Sequence, residues 1–92
     1  MPVFVSVPTL LRSYIQDSKR VQAQGTTVRE VVDDLERRYP GIRSRLMDVQ
    51  QLHRFVNVYL NDEDIRFLDN LDTVLADRDE LTILPAVAGG AR

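Results

Sequence analysis

The chain contains no cysteine. A disulfide, a thiolate metal site and a cysteine nucleophile are all excluded by that absence. Packing alone must hold the fold, as suits a cytoplasmic protein. Histidine is almost missing too, since His53 is the single one. Its nearest acid in sequence is Asp48, five positions back in an irregular stretch. An exposed or edge histidine is a plainer reading there than a metal ligand. Lysine occurs once, as Lys19, against eleven arginines, which we read as a GC-rich coding bias. No excess of positive charge exists: 12 basic groups face 14 acidic ones. A general nucleic-acid binder would instead show a basic surplus or stripe. No apolar run approaches the roughly 20 residues that cross a bilayer. The opening "MPVFVSVPTLL" has neither a charged leader nor a small-residue cleavage site, so it reads as a strand and not as a signal peptide.

What is present describes one small domain, because a chain of 92 residues has room for a single modest core. In "PVFVSV" (2–7), Val3, Val5 and Val7 share one face and Phe4 and Ser6 the other. "SKRVQAQG" (18–25) is a weaker strand, and the two suggest an N-terminal hairpin with a wide connection. "TTVREVVDDLERRYPG" (26–41) is the clearest helix. Thr27 and Glu30 have capping-box spacing, and Val28, Val31, Val32, Leu35 and Tyr39 recur on one stripe. Asp33, Asp34, Glu36, Arg37 and Arg38 fall mainly off it. Pro40 and Gly41 end the helix. Ile42, Leu46 and Met47 could form a short helical turn. "RFVNVYLN" (54–61) is a strong strand, "NDED" (61–64) a turn, and "IRFL" (65–68) a short returning strand. Residues 69–80 read as irregular, anchored by Leu71, Val74 and Leu75, and "LTILP" (81–85) is the last strand. The expected class is α+β, with one main helix at about 27–39 on a mixed sheet. Placing the first and last strands as central neighbours would make it a ubiquitin-like β-grasp, one of several topologies the pattern allows. The domain is expected over 1–86, with a flexible tail at 87–92.

The body offers no catalytic constellation. Ser6, Ser13, Ser18 and Ser44 lack a nucleophile-elbow context. Asp33 and Asp34 read as a solvated helix face. "NDED" and "DRDE" lack the spacing and distal glutamate of a calcium loop. The only glycine near the helix start is Gly25, so no phosphate loop is expected, and no metal site or permanent cofactor. What remains is the ending "LPAVAGGAR" (84–92), with Gly89 and Gly90 followed by Ala91 and Arg92. Glycine has no Cβ, so it passes narrow tunnels and accepts backbone angles closed to other residues. On the strand reading, Phe4, Phe55, Tyr59 and Leu84 face away from the core sets Val3/Val5, Val56/Val58 and Leu81/Ile83. With Pro85 and Val87 they are the candidate partner interface, because exposed apolar patches mark such sites.

"LTILPAVAGG" (81–90), "LHRFVNVYLNDEDIRF" (52–67), "LERRYPGIRSRLMD" (35–48) and "VFVSVPTLLR" (3–12) together resemble the MoaD/ThiS group of ubiquitin-like sulfur carriers, and within it the actinobacterial members. The resemblance spans nearly the whole chain. It implies the β-grasp fold and a role as carrier or co-substrate, not enzyme. By that resemblance, an E1-like adenylating partner would use ATP to activate the carboxylate of Gly90. Sulfur from a persulfide would then replace AMP to give a thiocarboxylate, with Gly89 as spacer. The sulfur would serve cysteine synthesis on a PLP-dependent cysteine synthase, or else molybdopterin, thiamin or a thio-sugar. Family carriers end at the second glycine, whereas Ala91 and Arg92 follow it here. A JAMM-type zinc metalloprotease is therefore expected to cut after Gly90. Two other classes remain open: a ubiquitin-like protein modifier, and a purely structural binding domain.

Overall fold

The computed structural model describes residues 2–48, 51–52 and 56–85. Strand β1, Pro2–Ser6, buries Val3 and Val5 and turns Phe4 the other way. It pairs antiparallel with β2, Arg20–Gln24, with Val5 opposite Val21 and Val3 opposite Ala23. The wide connection between them holds a 3-10 turn, Thr9–Ile15, which buries Leu11 and Ile15. Gln16 and Asp17 leave that turn in the left-handed region, at φ 60° and 62°.

Helix α1 runs Val28–Arg38 and buries Val28, Val31, Val32 and Leu35, while Tyr39 packs half-buried against the same core. Its start departs from a simple capping box. Thr27 Oγ1 does accept the Glu30 amide at 3.2 Å. The Glu30 carboxylate, however, reaches past Thr27 and accepts from both the amide and the hydroxyl of Thr26, each at 2.9 Å. Asp34 is a second departure. It is buried, because β2 ends beside the helix there. Its carboxylate accepts the Gln24 amide at 2.9 Å and the guanidinium groups of Arg37 and Arg38 at 2.6 and 2.8 Å. Burial opposes its ionisation, but the Gln24 amide and the two arginines together hold its carboxyl below the usual range. Asp33, by contrast, stays exposed.

The chain then turns at Gly41, whose φ of 103° is a left-handed value that favours glycine. Helix α2, Ile42–Leu46, follows and buries both of its ends. The Glu36 carboxylate accepts the Arg43 and Gly41 amides, which lowers its pKa. A small ladder of β3, Met47–Asp48, against β4, Gln51–Leu52, comes next.

Strand β5, Val56–Leu60, lies antiparallel to β7, Glu80–Pro85. β7 lies parallel to β1, with Val5 beside Leu81. With β6 at Glu63–Asp64, the five-stranded order is β2-β1-β7-β5-β6, so the first and last strands are central neighbours. This is the ubiquitin-like β-grasp, with α1 packed over the Val3/Val5, Val58 and Leu81/Ile83 face. Two expectations fail in the second half. The returning strand β6 is Glu63–Asp64, and Ile65–Phe67 forms a 3-10 turn instead. The Asp64 carboxylate captures the Arg66 amide at 2.9 Å and curls the chain there. Leu71 and Leu75 are buried as expected, but Val74 is 72% exposed. It bridges Thr27 edge-on and projects outward.

Candidate functional site

The strand register builds a second face on the sheet, opposite α1. Ser6 pairs with Arg20 on one side and Thr82 on the other. Thr82 in turn lies opposite Tyr59, and Leu84 opposite Asn57. Residues directly opposite in a ladder share a face. Phe4, Ser6, Thr82, Leu84, Asn57 and Tyr59 therefore line one surface. It is not a plain apolar patch. The Arg20 guanidinium lies 4.2 Å over the Phe4 ring and donates to Glu80 at 3.0 Å. Ser6 Oγ donates to the same carboxylate at 2.7 Å. Phe4 and Tyr59 are half-buried, and Leu84 and Pro85 are exposed. Beside Tyr59, Asp64 is buried and held ionised chiefly by the Arg66 guanidinium at 2.8 Å.

The end of β7 carries a different feature. A groove of about 420 Å³ opens where the strand leaves the sheet. One wall is Val56, Ile83, Leu84 and Pro85; the other is Leu10, Leu11 and Tyr14 of the 3-10 turn, with Arg45 of α2. Arg45 donates to the Tyr14 hydroxyl at 2.7 Å. β7 reaches this point because it runs parallel to β1, and β1 leads into the 3-10 turn at the same end.

Of the sequence-derived interface residues, Phe4, Tyr59 and Leu84 share the outer sheet face. Pro85 belongs with Val56 at the groove. Phe55, Val87, Gly89, Gly90, Ala91 and Arg92, and also His53, lie outside the described residues. Sequence reasoning missed Arg20 and Glu80, which interrupt the apolar surface. For Glu80 the available signal was its alternation with Thr82 and Leu84; nothing local joined Arg20 to Phe4. It also missed the wall formed by Leu10, Tyr14 and Arg45, since nothing local in sequence joins a hairpin connection to α2. Among the described residues, no three His, Asp or Glu side chains converge as metal ligands would, and no helix is long and apolar enough to cross a membrane. The arrangement suits binding a partner's surface beside the end of β7.

The sequence matches the ThiS family over residues 5–90. It is 55% identical to the sulfur carrier protein CysO of Mycobacterium tuberculosis, covering 98% of this chain and 100% of that one. It also resembles small archaeal modifier protein 3 of Haloferax volcanii, at 38% identity over 70% of each chain. Among solved structures, a chain of the Amycolatopsis orientalis BexX/CysO complex superposes with a TM-score of 0.90 at 55% identity. That alignment covers 96% of this chain and 99% of the other.

Proposed function

The chain belongs to the ThiS family, and from that premise we propose that it is a sulfur carrier whose working group is the carboxyl of Gly90. The observation that carries the reading is the 55% identity, end to end, with a sulfur carrier protein. The stretch matched to the family closes on Gly90, which adds support.

The chemistry follows from what a carboxylate lacks. It is a poor electrophile, and attack of its oxygen on the α-phosphorus of ATP, with loss of pyrophosphate, converts it into an acyl-adenylate with a good leaving group. The outer sulfur of a donor persulfide then displaces AMP to give an acyl disulfide. A second thiol, forming a disulfide with the donor's sulfur, cleaves that bond and leaves a thiocarboxylate, soft and nucleophilic, tethered to a protein. Catalysis belongs to partners: an E1-like adenylating enzyme that uses ATP, and an acceptor enzyme. We place the acceptor in cysteine synthesis, as a PLP-dependent synthase, with molybdopterin, thiamin or thio-sugar pathways as alternatives. The protein itself works as a cytoplasmic co-substrate. While Ala91 and Arg92 are attached, the Gly90 carbonyl is an amide and cannot be adenylated. Removal after Gly90, by a JAMM-type zinc metalloprotease, is therefore part of the proposal.

The test compares the full chain with one ending at Gly90, each given ATP and a cognate activating enzyme, and then sodium sulfide as the sulfur source. Adenylation, and then replacement of one oxygen by sulfur in the intact mass, is expected only for the chain ending at Gly90. Absence of an adenylate on that chain would sink the reading. The likeness to an archaeal modifier protein favours a second function, covalent attachment to target lysines. A ladder of heavier conjugates in cells, lost on Gly90→Ala substitution, would establish it.

A further inference from the structure

The groove at the end of β7 has an unusual relation to the residues that follow it. Pro85 is both its wall and the last residue of β7. The next three residues, Ala86, Val87 and Ala88, are small and apolar, and Gly89 and Gly90 come after. Five extended residues past Pro85 reach about 17 Å, a span large against a groove of about 420 Å³. That wall is apolar at Leu10 and Leu11 and cationic at Arg45.

Arg45 differs from its neighbours. Arg37 and Arg38 pair with Asp34, and Arg43 with Asp33. Among the described residues, Arg45 has no carboxylate partner; it is held by the Tyr14 hydroxyl and lies near that ring, 5.8 Å from its centre. Leu10 on the same wall is 76% exposed, with an apolar side chain and no cover. An apolar strip leading to one anion would satisfy both residues. The chain ending at Gly90 is such a segment.

We propose that the groove between the Thr9–Ile15 turn, α2 and the end of β7 is a resting berth for the protein's own tail, with Arg45 facing the terminal carboxylate or thiocarboxylate of Gly90. The proposal rests on Gly90 being the processed end. While Arg92 remains attached, Gly90 carries no charge and the terminal carboxylate sits two residues further on, beside Arg92's own guanidinium, so the end of the chain brings no net negative charge to Arg45. Trimming thus switches the berth on. Docking is partial and reversible, since ordering a glycine-containing tail carries a large entropic penalty and a surface ion pair is weak. A partner enzyme can therefore draw the tail out, while an idle thiocarboxylate spends part of its time shielded from water.

The absence of cysteine permits a clean test. Ser13, exposed on the groove wall, is changed to Cys and carries a nitroxide spin label. The label's broadening of the Gly89 and Gly90 amide signals is then read by NMR. In the chain ending at Gly90, strong broadening is expected. It should become several-fold weaker with Arg45→Gln, in the chain retaining Ala91 and Arg92, and in 1 M salt, where the screening length is about 3 Å. A label at Gln22→Cys, on the far edge strand, controls for proximity of a freely moving tail. Equal broadening from both labels, or broadening that survives Arg45→Gln, overturns the proposal. So does broadening that appears only between labelled and unlabelled copies in a mixed sample, which would make the occupant a second molecule's tail. No activating enzyme enters this experiment. Failure here leaves the sulfur-carrier reading standing, and failure of adenylation leaves the berth testable.

Discussion

Asp34 is a charge set where an amphipathic pattern leaves room for solvent, yet it is 3% exposed. Its carboxylate closes the join between α1 and β2 by accepting the Gln24 amide. Replacing it with Ala removes the carboxylate that this amide and two arginines share. A loss of about 1–3 kcal/mol is expected from urea unfolding. The acid response follows from the same group. Asp34, Glu36 and Asp64 all have lowered pKa values in the fold, so each binds a proton less readily folded than unfolded. The stability they supply is complete above the unfolded value of about 4 and disappears as pH falls through the lower folded values. Urea midpoints should be level from about pH 5 to 7 and drop steeply below about pH 4. Asp34→Asn should lower the plateau and flatten that drop. A midpoint unchanged at low pH would show that these carboxylates contribute nothing. At Gly41, substitution by Ala forces a left-handed residue and brings a Cβ to 3.2 Å from the Tyr14 ring. A destabilisation of about 1–2 kcal/mol is expected in the same assay.

Among elements, the stretch from Asn70 to Leu75 separates pattern from packing. Leu75→Ala empties a buried site and should cost about 2–5 kcal/mol. Val74→Ala, one position earlier, should stay within about 0.5 kcal/mol of the parent. Equal effects from the two would contradict the burial described above. The strands of this domain were legible in sequence because Val3/Val5 and Leu81/Ile83 alternate against polar neighbours, and α1 because its valines keep helical spacing. Segment 61–75 was harder. Its shape is set by polar capture, Asp64 on the Arg66 amide and Thr73 Oγ1 on the Asp69 amide, and such bonds leave no hydrophobic period. Val74 misled for a related reason: an apolar residue in an irregular stretch has no phase from which to deduce its side.

On the scale of the whole molecule, the outer sheet face and the β7 groove adjoin at one end of the sheet. Leu84 is exposed at 42% and belongs to both. Leu84→Asp should leave the unfolding midpoint nearly unchanged while weakening association with an activating enzyme about tenfold, roughly 1.4 kcal/mol. Titration calorimetry would read this, and an unchanged affinity would remove the outer face from the interface. The sequence carried the diglycine and the alternation that turns Phe4, Tyr59 and Leu84 together. The groove was invisible there, because Leu10, Arg45 and Pro85 meet only once β1 and β7 lie side by side.

That central parallel pairing has a mechanical consequence. β1 and β7 run in the same direction, so the start of the fold at Pro2 and its exit at Pro85 lie at opposite ends of the sheet. Tension applied between them loads the β1–β7 ladder lengthwise, with its hydrogen bonds strained together as in a lap joint, and not opened one by one as in a zipper. β7 is also gripped on its other side by β5. A pull applied at Pro85 is therefore resisted by a strand held on both sides, and the body behaves as a stiff handle.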